Sequence, residues 1–132
     1  MPSLAGLHHA SLTVSDLEAS AEWYIRVLGM VEQFRETGPT RMAAVFRFAG
    51  GPGLVGLVEH VGSPSGAFDP TVTGLDHLAF TVSSREELRE WAEHLSAHGI
   101  DTSGPIEIPP GEIVNFKDPD GIALSLFWDR AD

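Results

Sequence analysis

Cysteine is missing from this sequence, basic residues are scarce, and no long apolar run occurs. Without cysteine there is no disulfide and no thiolate to act as nucleophile or metal ligand, and the cytoplasm becomes the default compartment. Only 8 Lys and Arg face 19 Asp and Glu, for a net charge of −11. Such a surface repels phosphate groups, which argues against nucleic acid and anionic membranes as partners. It favours a cationic ligand, or serves solubility alone. No apolar stretch approaches the roughly 18 residues of a membrane span, and the N-terminus shows no basic segment followed by an apolar one. What is present is a chain of 132 residues, 42% hydrophobic, with mean hydropathy +0.01. That describes one soluble domain, residues 1–132, large enough for an ordinary core.

The chain states one phrase twice. Gly6-Leu7-His8-His9-Ala10-Ser11-Leu12-Thr13-Val14-Ser15 returns as Gly74-Leu75-Asp76-His77-Leu78-Ala79-Phe80-Thr81-Val82-Ser83, and Glu18, Glu22 and Trp23 return as Glu86, Glu90 and Trp91. A fixed offset marks a duplicated supersecondary unit. Module one spans 6–60, a Gly- and Pro-bearing linker 61–73, and module two 74–129.

Each module opens with a strand, at 7–14 and 75–82, whose alternation puts Ala10, Leu12 and Val14 or Leu78, Phe80 and Val82 on one face. His9, Ser11 and Thr13, or His77, Ala79 and Thr81, take the other. Capping boxes follow, Ser15 with Glu18 and Ser84 with Glu87. Helices run from them to Gly29 and to about His98, with Gly99 as the stop. The first has the stripe Leu17, Ala21, Tyr24 or Ile25, and Leu28. The second turns Leu88, Trp91 and Leu95 inward. Further strands are expected at 30–36, 41–48 and 54–60, then at 100–103, 112–117 and 122–128. The stretch with Pro105, Pro109 and Pro110 reads as irregular. Asp118-Pro119-Asp120-Gly121 is a strong hairpin turn. The aliphatic face of each opening strand must meet its helix, so the histidines face the other way. The class is α+β: two βαβββ modules in tandem, curved mixed sheets enclosing a cavity, helices outside.

This plan resembles the vicinal oxygen chelate superfamily, which includes glyoxalase I, bleomycin-resistance proteins and extradiol dioxygenases. The matching stretches are His9 to Leu17, Trp23-Tyr24 to Met30, Gly74 to His77, and Asp118 to Gly121. The resemblance implies the fold more than any one reaction. Enzymatic members hold a divalent metal (zinc, iron, nickel or manganese) with four inward side chains, two per module. Carried over by position, the metal ligands here are His9 and His77. The other two positions fall on Gly56 and Ser125, which are poor ligands.

The resemblance therefore supports two functions. In one, a small organic ligand sits in a cavity with a degenerate metal site, lined by His9, Ser11, Gly56, Val58, His60, His77, Ala79, Ser125 and Phe127. In the other, a metal-dependent lyase, isomerase or dioxygenase uses His9 and His77 with a third ligand from His60, Glu112 or a partner chain. Glu112 reads either as a general base at the cavity mouth or as an exposed carboxylate. Arg41 and Arg47 share a strand face that the sequence does not assign. A small molecule and a second copy of the chain, in a homodimer, are the implied partners.

Overall fold

Each repeat begins with a strand that buries one side only. In β1 (His9–Thr13) Leu12 is buried, whereas His9, Ser11 and Thr13 are exposed. Helix α1 (Leu17–Leu28) follows. Its cap forms one residue later than the capping-box pattern indicates. Asp16 is the N-cap, and its carboxylate accepts from the Ala19 N–H at 3.1 Å. Aspartate caps as well as serine does, and Glu18 instead pairs with Arg35. The buried stripe contains Leu17, Ala21, Trp23, Tyr24 and Val27, while Ile25 is exposed. Gly29, at φ 67°, ends the helix in the left-handed conformation that suits glycine.

The computed structural model describes residues 1–64 and 66–131, and the chain divides into two units, Met1–Ser65 and Gly66–Asp132. In the first, β2 (Val31–Thr37), β3 (Arg41–Arg47) and β4 (Leu54–His60) complete a sheet of order β1-β4-β3-β2. β1 and β4 are parallel, and the other neighbours are antiparallel. Tyr24, Val27, Ala44, Phe46, Val55 and Leu57 form the layer between helix and sheet. Each large apolar side chain buried there stabilises the fold by roughly 1.5–3 kcal/mol.

The second unit repeats the plan with β5 (Leu78–Thr81), α2 (Arg85–Ala97), β6 (Ile106–Ile108), β7 (Gly111–Lys117) and β8 (Ala123–Asp129), in sheet order β5-β8-β7-β6. Ser84 caps α2 by accepting from the Glu87 N–H at 3.0 Å. The Glu87 carboxylate reaches back past the cap, to the hydroxyl and N–H of Ser83. Those bonds, the hydroxyl first, hold it below the usual carboxylate range.

The strand expected at 100–103 does not form. Its residues run beside β7, but Ser103 supplies one backbone bond, to the Asn115 carbonyl at 3.0 Å. Its hydroxyl then takes the Asn115 N–H at 2.9 Å, where a ladder carbonyl would sit. The strand appears instead as β6, inside the proline-rich stretch expected to be irregular. β6 is an edge strand, and Pro105 and Pro109 flank it, where a missing N–H breaks no ladder. The turn at 118–121 joins β7 to β8, with Asp118 Oδ1 accepting from the N–H groups of Asp120 and Ile122, both at 2.9 Å. Among the described residues, no helix is long and apolar enough to cross a membrane.

Candidate functional site

Strand register sorts the polar residues by face. In the first unit Glu59 points to the helix side, where it accepts from the Leu17 N–H at 2.7 Å. Its neighbours Val58 and His60 therefore take the opposite, helix-free face. Ser11 pairs with Gly56, Val45 with Gly56, Ala43 with Val58, and Arg41 with His60. Paired residues share a face, so His9, Ser11, Gly56, Val58, His60, Arg41 and Arg47 all belong to it. Arg41 pairs with Glu36 at 3.7 Å, and Arg47 donates to the Phe48 carbonyl at 3.3 Å. His9 is exposed, and its Nδ1 lies 2.8 Å from that of His8, so one ring donates to the other.

Gly56 has a packing reason to lack a side chain. A Cβ built there would stand 2.5 Å from Ser11 Oγ. The hydroxyl of one strand occupies the space above the next.

In the second unit the helix-free face carries His77, Ala79, Thr81, Ala123, Ser125, Phe127, Ile113, Asn115 and Lys117. The pairs Ala79 with Ser125, Asn115 with Ser125, Ile113 with Phe127 and Lys117 with Ala123 fix this. Here lies a cavity of about 800 Å³, with His77, Ser125, Asn115, Lys117, Ala123 and Asp76 in its lining. Ser125 is buried, and its hydroxyl donates to Asn115 Oδ1 at 2.7 Å. The Asn115 amide N–H₂ remains as a donor. His77 Nδ1 lies 2.7 Å from Asp76 Oδ1. A carboxylate at that nitrogen places the proton on Nδ1 and leaves Nε2 as the acceptor. Ala79 and Phe127 share the face but stand outside the lining of this cavity.

Glu112 is neither at a cavity mouth nor exposed. It lies on the helix side with only 3% of its surface accessible. Arg85 Nε donates to its carboxylate, and Arg89 joins at 3.2 Å. The Arg85 hydrogen bond, with smaller attractions from Arg85, Arg89 and Arg130, holds its pKa below the ordinary 4.5 against the opposing cost of burial. Arg85 and Arg130 both stand over the Trp128 ring, 5.5 and 5.9 Å from its centre. Trp128 belongs to this cluster.

At the four positions that the resemblance assigns to a metal, the donors are thus two imidazoles, a glycine beneath a serine, and a serine hydroxyl already bonded to an amide. Among the described residues no group of three or more His, Cys, Asp or Glu side chains is placed to hold a metal. These side chains fall short of the three protein ligands usual for a catalytic zinc ion. Asn115 and Lys117 are pocket residues that strand-by-strand reading missed, whereas Ala123 lies on the inward face expected for it. The signal was available, because the turn at 118–121 fixes Lys117 opposite Ala123 and Asn115 opposite Ser125.

A sequence profile of the Glyoxalase/Bleomycin resistance protein/Dioxygenase superfamily matches residues 6–126. The protein YwkD of Bacillus subtilis (strain 168), uncharacterized, is 30% identical over 131 residues, 94% of this chain and 97% of that one. Catechol-2,3-dioxygenase of the same organism is 32% identical over 124 residues, 92% of this chain, which corresponds to 41% of that protein's length. The crystal structure of a glyoxylase/bleomycin resistance protein/dioxygenase domain from Frankia sp. EAN1pec is 40% identical, with a TM-score of 0.90 over 97% of this chain and 100% of that one.

Proposed function

This chain belongs to the Glyoxalase/Bleomycin resistance protein/Dioxygenase superfamily, and from that premise we propose that it binds a small organic molecule in the cavity of its second module, without a full metal shell. The cavity itself carries this reading. At about 800 Å³ it falls in the size range of small-molecule sites. Ile113 and Ala123 supply apolar floor, and the donors and acceptors are few and convergent. Ser125 spends its hydroxyl on Asn115 and so orients the amide. Asp76 orients His77, whose Nε2 then accepts a hydrogen bond from the ligand or takes a proton from it. The remaining residues expected to line a pocket, His9, Ser11, Gly56, Val58 and His60, extend the same function to the helix-free face of the first module. We place the protein in the cytoplasm as a homodimer, on its cysteine-free composition and its family.

A second reading, a divalent-metal enzyme, draws support from two relatives whose names are Catechol-2,3-dioxygenase and Putative ring-cleaving dioxygenase MhqA. The chain spans 41% and 40% of their lengths. It would require a third ligand from His60 or a partner chain, because Glu112 is committed to Arg85 and Arg89.

A fragment screen by ligand-observed NMR, run in EDTA, separates the two. Fragments that bind in chelator and are lost in Ala123→Trp, which fills the cavity floor, support the first reading. Binding that appears only when zinc, iron, nickel or manganese is added, and that fails in His9→Ala and His77→Ala, overturns it.

A further inference from the structure

We propose that the cavity of the second module selects small organic anions, and that Lys117 holds the anionic group. This rests on the ligand-site reading above and names its ligand class. Lys117 is the only lysine in the chain. Of the arginines, Arg26, Arg35, Arg41, Arg85, Arg89 and Arg130 are each bonded to a carboxylate, and Arg47 donates to a carbonyl. Lys117 enters none of the ion pairs among the described residues. The carboxylate next to it in sequence is directed elsewhere, since Asp118 Oδ1 accepts two backbone N–H groups of the turn. In a chain of net charge −11, a cation outside the ion pairs of the described residues, set in a cavity wall, is available to whatever enters.

Register gives the arrangement. Leu78 pairs with Leu124, so His77 stands beside Ala123, which pairs with Lys117. Imidazole, methyl and ammonium thus form one row across three strands. Two strand spacings separate its ends, about 10 Å from backbone to backbone. The small residue in the middle leaves the floor open between two long side chains. One row along, the Asn115 amide donates on the same side as Lys117. An anion at the Lys117 end meets an ammonium and an amide donor, and the body of the ligand lies over Ala123 toward His77.

Asp76 and Asp101 also line the cavity. Asp76 is bonded to His77, while Asp101 is a second carboxylate of the lining, so the preference for anions is local to the Lys117 ammonium itself. Overall composition points the other way, to a cationic ligand. At contact distance the local charge decides, because salt screens charges beyond about 8 Å at physiological ionic strength.

The test is isothermal titration calorimetry in EDTA with paired acids and primary amides, beginning with benzoate and benzamide. The acid is expected to bind at least about tenfold more tightly than its amide, as a charge-assisted hydrogen bond implies. Lys117→Met should bring acid affinity down to that of the amide, and Lys117→Arg should keep the acid preference, with folding of both variants verified by ¹H–¹⁵N spectra. Equal binding of acid and amide, or full acid affinity in Lys117→Met, overturns the inference and leaves the ligand site standing. If no pair binds the wild-type protein, the ligand-site reading falls together with it.

Discussion

Toward their helices, the two modules meet one requirement with different bonds. In the first, Glu59 leaves the sheet and caps the start of α1 through the Leu17 N–H. In the second, Glu112 leaves the sheet and gathers Arg85 and Arg89 from the first turns of α2. Each sheet spends one carboxylate on fixing where its helix begins. The helix-free faces show no such parallel. The first sets two histidines and two arginines around a glycine that a serine hydroxyl covers. The second sets an amide–hydroxyl pair, a lysine and a carboxylate-held histidine around a cavity. Core packing constrains the helix side in kind, because every residue there must fit a neighbour. Packing constrains the free side at fewer positions, Gly56 beneath Ser11 among them, so that is where duplicated halves diverge in chemistry and where binding chemistry is to be sought.

The largest test of this contrast is a backbone approach in the second module. A Cβ at Gly111 would stand 1.8 Å from the Trp128 carbonyl oxygen. Backbone cannot rotate away, so Gly111→Ala is expected to cost about 3 kcal/mol in urea unfolding. Glu112→Gln comes next. It leaves two arginines without their buried partner and should lower the thermal midpoint more than Glu107→Gln, whose exposed carboxylate pairs with Arg130. Acid sharpens this result. The folded-state pKa of Glu112 lies below the ordinary 4.5, so its contribution is complete above that value and is lost as pH falls through the folded one. Urea midpoints of wild type and Glu112→Gln should therefore differ at neutral pH and converge only once pH falls below the folded-state pKa, itself under 4.5. Glu59→Ala removes a helix cap and should cost about 1–2 kcal/mol, chiefly by loosening the start of α1 as read by amide exchange. Gly56→Ala should cost least, about 1 kcal/mol, because the obstacle is an exposed serine hydroxyl that can swing aside. A cost there as large as that at Gly111 would mean that Ser11 is locked in place, contrary to the packing described.

The architecture was legible because several independent signals agreed. The repeated phrase set the two modules, alternation set the faces of His9 and His77, and caps and Gly29 set the helices. Asp16 displaced Ser15 as cap because two adjacent residues were equally able to serve. β6 was illegible because prolines mark irregular chain in most contexts, and only sheet position shows that Pro105 and Pro109 stand outside the ladder. The site was legible by half. Alternation turns His77 and Ser125 to one side without any knowledge of partners. Glu112 was misplaced because its partners are 27 and 23 residues distant, on a helix whose rotation the sequence does not specify. The reason for Gly56 was hidden in a neighbouring strand, since Ser11 meets it only through parallel pairing.

Chemical-shift mapping in EDTA, with the tightest-binding fragment and ¹⁵N-labelled protein, tests the binding account most directly. The account predicts that the amides of Asn115, Lys117, Ala123 and Ser125 move together and saturably with metal absent. Binding that leaves those four unmoved, or that waits for a divalent metal, contradicts it.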